Sequence, residues 1–126
     1  MANQPTVLLA EDDAFLRRMY ATKFEQSGIP VLLAEDGKQA LALARKHKPK
    51  LALVDILMPR VDGFEVLAEM KKDPELKNIP VVLLTNLSEV EDVSRAKKLG
   101  ASEYLIKSHF LPSEVIAVAE KYLKSA

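Results

Sequence analysis

Cysteine and tryptophan are both absent from the 126 residues of this chain. Without thiols the protein has no disulfide bridge, no thiolate nucleophile and no zinc–thiolate site. A chain without cysteine suits the reducing conditions of the cytoplasm. We therefore expect a cytoplasmic protein.

The chain also lacks an excess of charge of either sign. Eighteen Lys and Arg residues balance eighteen Asp and Glu residues, so no global field attracts nucleic acid or an anionic membrane. No appended helix-turn-helix is found. Long apolar runs are missing, and the first residues lack the basic and apolar stretches of a signal peptide. We expect no direct binding to nucleic acid and no contact with membranes.

The hydrophobic content is sufficient for one compact core. Hydrophobic residues make up 48% of 126 positions, which is enough for the core of one domain. A chain of this length is too short for two domains. We expect a single domain over residues 1–126, with no room for an output domain.

Short apolar runs alternate with segments of helical spacing. The runs predict five strands, at residues 6–10, 31–34, 51–54, 81–84 and 104–106. They are continuous rather than alternating, which is typical of a parallel sheet buried on both faces. The intervening helical positions are Phe15, Leu16, Met19, Tyr20; Ala40, Leu41, Ala44; Val66, Leu67, Met70; and Val115, Val118, Ala119, Tyr122.

Residues typical of helix ends indicate the helix boundaries. Gly28 and Gly100 stand where helices one and four should end. Ser88 and Glu91 have the spacing of a capping box at the start of helix four, and Pro112 suits the first turn of helix five.

Five βα repeats with right-handed crossovers leave few topologies. We predict an α/β fold of the flavodoxin-like (βα)5 type, with strand order 2-1-3-4-5 and helices on both faces of the sheet. In that order a ligand site is expected beyond the carboxyl ends of strands one and three.

Polar residues follow four of the predicted strands: Glu11, Asp12 and Asp13; Asp55; Thr85; and Lys107. Carboxylates about 5 Å apart repel each other by roughly 3 kcal/mol per pair at an effective dielectric of about 20. Such a cluster favours a divalent cation, and Mg²⁺ suits it because that ion prefers a few carboxylates with waters and phosphate oxygens. The pattern indicates a metal beside a carboxylate nucleophile, with a hydroxyl and an ammonium placed for phosphoryl oxygens.

Each of these residues has a simpler explanation when taken alone. Asp12 or Asp13 suits a helix cap, and Asp55 suits a turn. Thr85 suits a strand, and Lys107 suits a solvated surface. These explanations do not account for their joint placement at one edge of the sheet.

Five motifs stand in order along the chain: Glu11-Asp12-Asp13, Asp55-Ile56-Leu57-Met58-Pro59, Asp62-Gly63, Thr85 and Tyr104-Leu105-Ile106-Lys107. They resemble the response-regulator receiver domain of two-component signal transduction, in a stand-alone, single-domain form. They occur in the family's order and spacing across essentially the whole chain.

The resemblance implies that Asp55 accepts a phosphoryl group from a sensor histidine kinase or a histidine phosphotransfer protein. Glu11 and Asp12 would hold Mg²⁺, together with the Asp55 carboxylate and the Leu57 carbonyl. The acidic pair is placed at Glu11 and Asp12 by aligning residues 16–18 with similar family sequences. The protein would not be an enzyme, beyond catalysing its own phosphorylation and dephosphorylation.

By the same resemblance, Thr85 and Lys107 bind phosphoryl oxygens, and Tyr104 changes rotamer as Thr85 is drawn inward. The signal would pass through the face formed by helix 4, strand 5 and helix 5. That face would bind a downstream protein target, and the resemblance also allows a homodimer through it.

The sequence departs from the family at several positions. Ser108 follows Lys107 where the family usually has proline, so we predict a trans peptide, a rearranged loop and a less constrained Lys107. Asn86 replaces a small residue, and its amide is expected to narrow or bridge the entrance to the site. In the family, the residues at the positions of Leu57 and Leu87 flank the water that attacks the acyl phosphate. Both residues are apolar here, which predicts slow autodephosphorylation.

The same α/β fold is compatible with other functions. A receiver-like scaffold that binds a protein partner without phosphorylation is motivated by Ser108 and Asn86. A flavin-binding domain of the same topology is disfavoured, because residues 11–13 would repel the flavin phosphate.

Overall fold

The computed structural model describes residues 7–124, and residue 6 of the first predicted strand lies outside them. The strands are β1 (Val7–Ala10), β2 (Val31–Ala34), β3 (Leu51–Val54), β4 (Val81–Thr85) and β5 (Glu103–Ile106). The helices are α1 (Ala14–Gln26), α2 (Gly37–His47), α3 (Gly63–Lys72), α4 (Val90–Leu99) and α5 (Pro112–Lys124), with a short 3₁₀ turn at Lys107–His109.

The five strands form one parallel sheet in the order β2-β1-β3-β4-β5, which confirms the predicted topology. Strands β1, β3 and β4 are buried along their whole length, whereas β2 and β5 at the edges are partly exposed. Ala10 pairs with Val54, and Thr85 pairs with Ile106. The residues that follow these positions therefore emerge at the same edge of the sheet.

Two hydrophobic clusters lie on opposite faces of the sheet. Leu8 and Ala10 join residues from α2, α3 and α4 in one cluster. Val7 and Leu9 join residues from α1 and α5 in the other. Successive strand side chains point to opposite faces, so a continuous apolar run serves both clusters.

Three of the predicted helix boundaries are confirmed. Gly28 and Gly100 have φ values of 72° and 99°, in the left-handed region that glycine tolerates best, just beyond α1 and α4. Pro112 is the first residue of α5. None of the helices between residues 7 and 124 has the length and apolarity needed to cross a bilayer.

The capping box predicted for helix four is wrong. Helix α4 begins at Val90, its N-cap is Glu89, and no side chain provides a capping hydrogen bond there. Ser88 therefore lies one residue too early, and Glu91 is the second helical residue rather than the third. The spacing was correct for a capping box, but the chain enters the helix one position later.

Phe15 is a further departure from the pattern of helical positions. Its spacing grouped it with the buried face of α1, yet its side chain is 77% exposed. The buried residues of α1 are Tyr20, Ala21 and Phe24, which lie on the second and third turns. The first turn of α1 consequently presents an aromatic ring to solvent.

Candidate functional site

Three carboxylates meet at the carboxyl edge of the sheet. Glu11, Asp12 and Asp55 each offer an oxygen, and these oxygens all lie within 4.8 Å of one another. Glu11 and Asp55 are buried, at 1% and 6% exposure, while Asp12 is exposed. A donor set made only of carboxylate oxygens, open to solvent on one side, fits a hard divalent cation such as Mg²⁺.

Asp13, the third acidic residue after β1, has a different role. Its Oδ1 accepts a 3.0 Å hydrogen bond from the Leu16 amide, so its side chain caps α1. Its own amide donates to Glu11 Oε2 at 3.1 Å. Of the two aspartates that suited a helix cap, Asp13 is the one whose side chain does so.

Lys107 lies between two of the carboxylates. Its Nζ donates to Glu11 Oε1 at 2.5 Å and to Asp55 Oδ2 at 2.8 Å. The Lys107–Ser108 peptide is trans, since no cis peptide occurs in residues 7–124. The chain forms a 3₁₀ turn at Lys107–His109, in which the Phe110 amide donates to the Lys107 carbonyl. The replacement of proline by Ser108 therefore leaves the lysine directed into the site.

The electrostatics of the site reflect burial and pairing. Burial by itself lowers the pKa of Lys107, but the hydrogen bonds to Asp55 and Glu11 outweigh it and raise that pKa. Burial raises the pKa of Glu11, against the lowering effects of Lys107 and the Asp13 amide. Burial also raises the pKa of Tyr20, whose phenol interacts with the charges of Lys107, Glu11 and Asp55. Lys107 thus stays protonated and offsets part of the carboxylate charge.

The loop after Asp55 packs tightly against the start of α3. A Cβ atom on Gly63 would lie 2.4 Å from the backbone oxygen of Asp55, so only glycine fits this contact. Asp62 and Glu65 form a reciprocal capping box at the start of α3. The Leu57 amide lies 3.4 Å from Asp55 Oδ1. The Asp62-Gly63 motif thereby holds the backbone behind the Asp55 carboxylate.

Thr85 and Tyr104 are joined through Leu87. Thr85 is fully buried, and its Oγ1 accepts a 3.3 Å hydrogen bond from the Leu87 amide. The Tyr104 hydroxyl donates to the Leu87 carbonyl at 2.7 Å. Burial, with smaller effects from Asp92 and Asp55, raises the pKa of Tyr104 to about 12. The hydroxyl of Thr85 and the ring of Tyr104 therefore act on the same peptide segment.

The remaining departures from the family are placed as follows. Leu57 is 58% exposed, whereas Leu87 is half-buried against the core. Asn86 is exposed, and its side-chain amide makes no hydrogen bond to any residue that the structure describes. The expected bond across the entrance is therefore not formed in this structure.

Two arginines on the segments that follow β1 and β3 form ion pairs that the sequence does not predict. Arg17 of α1 contacts the backbone of the β1–α1 loop and lies 3.9 Å from Glu35. Arg60, in the left-handed region with φ of 72°, pairs with Asp36 at 3.4 Å. Arginines at these positions have no spacing that would distinguish them from ordinary surface charges, so no pattern could have identified them.

Comparisons with known proteins agree with this geometry. The model of the response regulator receiver domain family matches residues 7–119. The probable transcriptional regulator ycf27 of Galdieria sulphuraria is 38% identical over 88% of this chain and 42% of its own length. The chain spans about half the length of the curated relatives of this kind. The polar-differentiation response regulator DivK of Brucella anthropi is 34% identical, over 96% of this chain and 98% of its own.

Solved structures show the same fold. The receiver domain of the Francisella response regulator 1452 superposes with a TM-score of 0.85 at 34% identity, covering 97% of this chain and 99% of that one. The phosphorylated cyanobacterial phytochrome response regulator RcpA superposes with a TM-score of 0.86 at 32% identity, covering 98% and 96%. The chain therefore belongs to the response regulator receiver domain family.

Proposed function

We propose that this protein is a phosphoacceptor switch of a two-component phosphorelay. Asp55 would take a phosphoryl group from a phosphohistidine of a sensor histidine kinase or a histidine phosphotransfer protein. The observation that carries this proposal is the position of the Asp55 carboxylate, buried between an acidic pair and the Lys107 ammonium at 2.8 Å. The catalytic activity would be limited to the protein's own phosphorylation and dephosphorylation, in the cytoplasm.

The chemistry follows from the placement of Asp55 and Lys107. A carboxylate oxygen of Asp55 attacks phosphorus, and the P–N bond to the donor imidazole breaks as the O–P bond forms. The imidazole leaves with the bonding electron pair and takes up a proton. Lys107 already donates to Asp55 Oδ2, and the same ammonium can donate to an incoming phosphoryl oxygen.

Mg²⁺ would be held by Glu11, Asp12, the Asp55 carboxylate and the carbonyl of Leu57. When bound, the ion would offset the negative charge that otherwise repels an anionic phosphodonor. The three side chains supply clustered oxygen ligands, which supports this assignment, whereas the Leu57 carbonyl is carried over from the family.

Phosphorylation would act on the segment that Thr85 and Tyr104 share. The new group adds about 1.5 to 2 negative charges and three strong acceptors, which favours a state in which the Thr85 hydroxyl donates to phosphate. That change alters the contact of Thr85 with the Leu87 amide. The face of α4, β5 and α5 would then pass the signal to a downstream protein or a second copy of this chain. Val90, 80% exposed at the start of α4, supports a binding role for this face.

The test is magnesium-dependent phosphorylation read by intact mass. The wild-type chain, incubated with Mg²⁺ and a small acyl phosphate donor, should gain the mass of one phosphoryl group, and Asp55→Asn should gain none. Asp13→Asn is the matched control, because asparagine also caps a helix and should leave labelling intact.

Labelling of Asp55→Asn would place the acceptor elsewhere and refute the assignment. Failure of the wild type to be labelled, by the donor or by purified histidine kinases, would instead favour the non-phosphorylated scaffold.

A further inference from the structure

We propose that Arg17 is a positioning residue for the metal site, a role that rests on the proposed binding of Mg²⁺. Arg17 belongs to α1 and offers no metal ligand. Its guanidinium instead holds the backbone of Glu11 and Asp12, the two residues of the β1–α1 loop whose carboxylates face Asp55. The orientation of this acidic pair would therefore depend on a cation outside the ligand set.

The contacts of Arg17 are directed at the loop itself. Its Nη1 donates to the Glu11 carbonyl at 2.8 Å and to the Asp12 carbonyl at 3.3 Å. Its Nη2 lies 3.9 Å from Glu35 Oε2, on the segment that follows β2. The side chain is only 18% exposed, so these contacts are largely shielded from competing water.

Two other contacts fix the ends of the β1–α1 loop, and Arg17 binds the residues between them. Upstream, the Glu11 amide donates to the Ala34 carbonyl at 3.0 Å. Downstream, Asp13 caps α1. Between these contacts lie the two peptide carbonyls that Arg17 binds, and their orientation determines where the Glu11 and Asp12 side chains leave the backbone. A single guanidinium nitrogen, Nη1, donates to two successive carbonyls and so restricts both peptides at once.

The charge of Arg17 has the opposite effect on a bound dication. A positive group near the carboxylates repels Mg²⁺, although the nearby Glu35 carboxylate offsets part of that charge. Removal of Arg17 would tighten Mg²⁺ binding if its charge dominated and would weaken binding if its hydrogen bonds dominated. The sign of the change in Mg²⁺ affinity therefore distinguishes the two effects.

The experiment measures the Mg²⁺ dissociation constant of the full chain by isothermal titration calorimetry. Arg17→Met should weaken binding about tenfold, as is typical for partners that orient metal ligands. Arg18→Met is the matched control, since Arg18 is the adjacent, exposed arginine of the same helix, and its dissociation constant should change less than about twofold. Arg17→Lys keeps the charge but has one nitrogen on a shorter side chain, which cannot contact both the loop carbonyls and Glu35 as Nη1 and Nη2 do. We therefore expect a weakening between wild type and Arg17→Met.

Unfolding in the presence of a chelator shows whether each variant is folded before Mg²⁺ is added. If Arg17→Met does not fold, the comparison of Arg17→Lys with wild type takes its place, and an unchanged dissociation constant overturns the proposal. Equal or tighter binding by a folded Arg17→Met overturns it as well. A wild-type chain that binds no Mg²⁺ would contradict the proposed function itself, which separates the two failures.

Discussion

Tyr104 and Leu87 are joined by a 2.7 Å hydrogen bond from the phenol hydroxyl to the backbone carbonyl. The amide of the same leucine donates to Thr85 Oγ1 at 3.3 Å. Leu87, in the segment between β4 and α4, is thus hydrogen-bonded both to the last residue of β4 and to a residue of the neighbouring strand β5. A change at Thr85 reaches Tyr104 through the single residue Leu87, whose amide and carbonyl belong to successive peptide units, and this gives the proposed switch a short physical path.

Tyr104→Phe should lower the free energy of unfolding by about 1 kcal/mol, since one hydrogen bond is lost. Tyr122→Phe is a matched control, because Tyr122 donates a bond of the same 2.7 Å length to Glu103. Tyr122→Phe should lose at least as much stability in urea unfolding, because its hydrogen bond is to a carboxylate. Only Tyr104→Phe should alter the phosphorylation-induced amide NMR shifts of residues 86–89. Equal effects of both variants on those shifts would remove Tyr104 from the switch.

Lys107→Met should destabilise the metal-free protein strongly, because it leaves Glu11 and Asp55 buried without their cation. Breaking a buried charge pair costs about 3 to 5 kcal/mol, which urea unfolding in chelator would measure. Mg²⁺ should restore part of this loss. Lys72→Met is the control, since Lys72 is 75% exposed and its removal should change stability by less than about 0.5 kcal/mol. Similar losses in both variants would contradict the described role of Lys107.

Gly63→Ala should be far more destabilising than Gly28→Ala. A Cβ on Gly63 would lie 2.4 Å from the Asp55 carbonyl oxygen, so the phosphoacceptor loop must move. Gly28 has open space around it, so the cost of alanine there comes from its positive φ of 72° alone. Alanine in that backbone conformation costs about 1 kcal/mol. Thermal or urea unfolding would rank the two variants. A reversed order would show that the loop behind Asp55 adapts easily.

The tyrosines of the folded protein should ionise at a higher pH than those of the unfolded chain. Burial raises the pKa of Tyr104 and of Tyr122 to about 12, with Glu103 contributing at Tyr122, and burial also raises the pKa of Tyr20. Each phenol keeps its proton in the folded state above the pH at which the unfolded chain loses it, about 10. Folding stability is therefore fully present below about pH 10 and falls as the pH rises toward 12.

Phenolate absorbance in the near ultraviolet checks this ordering. At about pH 11 Tyr104 and Tyr122 should contribute little phenolate signal in the native protein, whereas the chain unfolded in urea should be mostly ionised. Substantial early absorbance of the native protein would mean that at least one of these phenols is more solvated than the structure indicates.

Leu57→Asn should shorten the lifetime of the phosphoryl group on Asp55. Leu57 lies two residues beyond Asp55 and is 58% exposed, so the substitution should leave the core intact. An amide can orient the attacking water, which an isobutyl group cannot do. Loss of the phosphoryl mass with time, after removal of the donor, would measure the lifetime. A lifetime unchanged by Leu57→Asn would argue against the slow autodephosphorylation that apolar residues predict.

Some features of the site were visible in sequence because they depend on position alone. In a parallel sheet the carboxyl ends of the strands meet at one edge, so Glu11, Asp12 and Asp55 could be grouped by the strands that precede them. The family motifs then assigned their roles. The capping box at Ser88 failed because the start of a helix depends on how the preceding loop packs, which spacing does not reveal.

Apolar runs and helical spacing are local signals, so the five βα units, their topology and the edge at which polar residues gather follow from the amino-acid sequence alone. Which atoms meet depends on the packing of the folded chain. Lys107 reaches Glu11 across 96 positions of sequence, Tyr104 reaches Leu87 across 17, and Arg17 turns back onto its own loop. Such contacts depend on side-chain directions set by packing, and no periodicity records them.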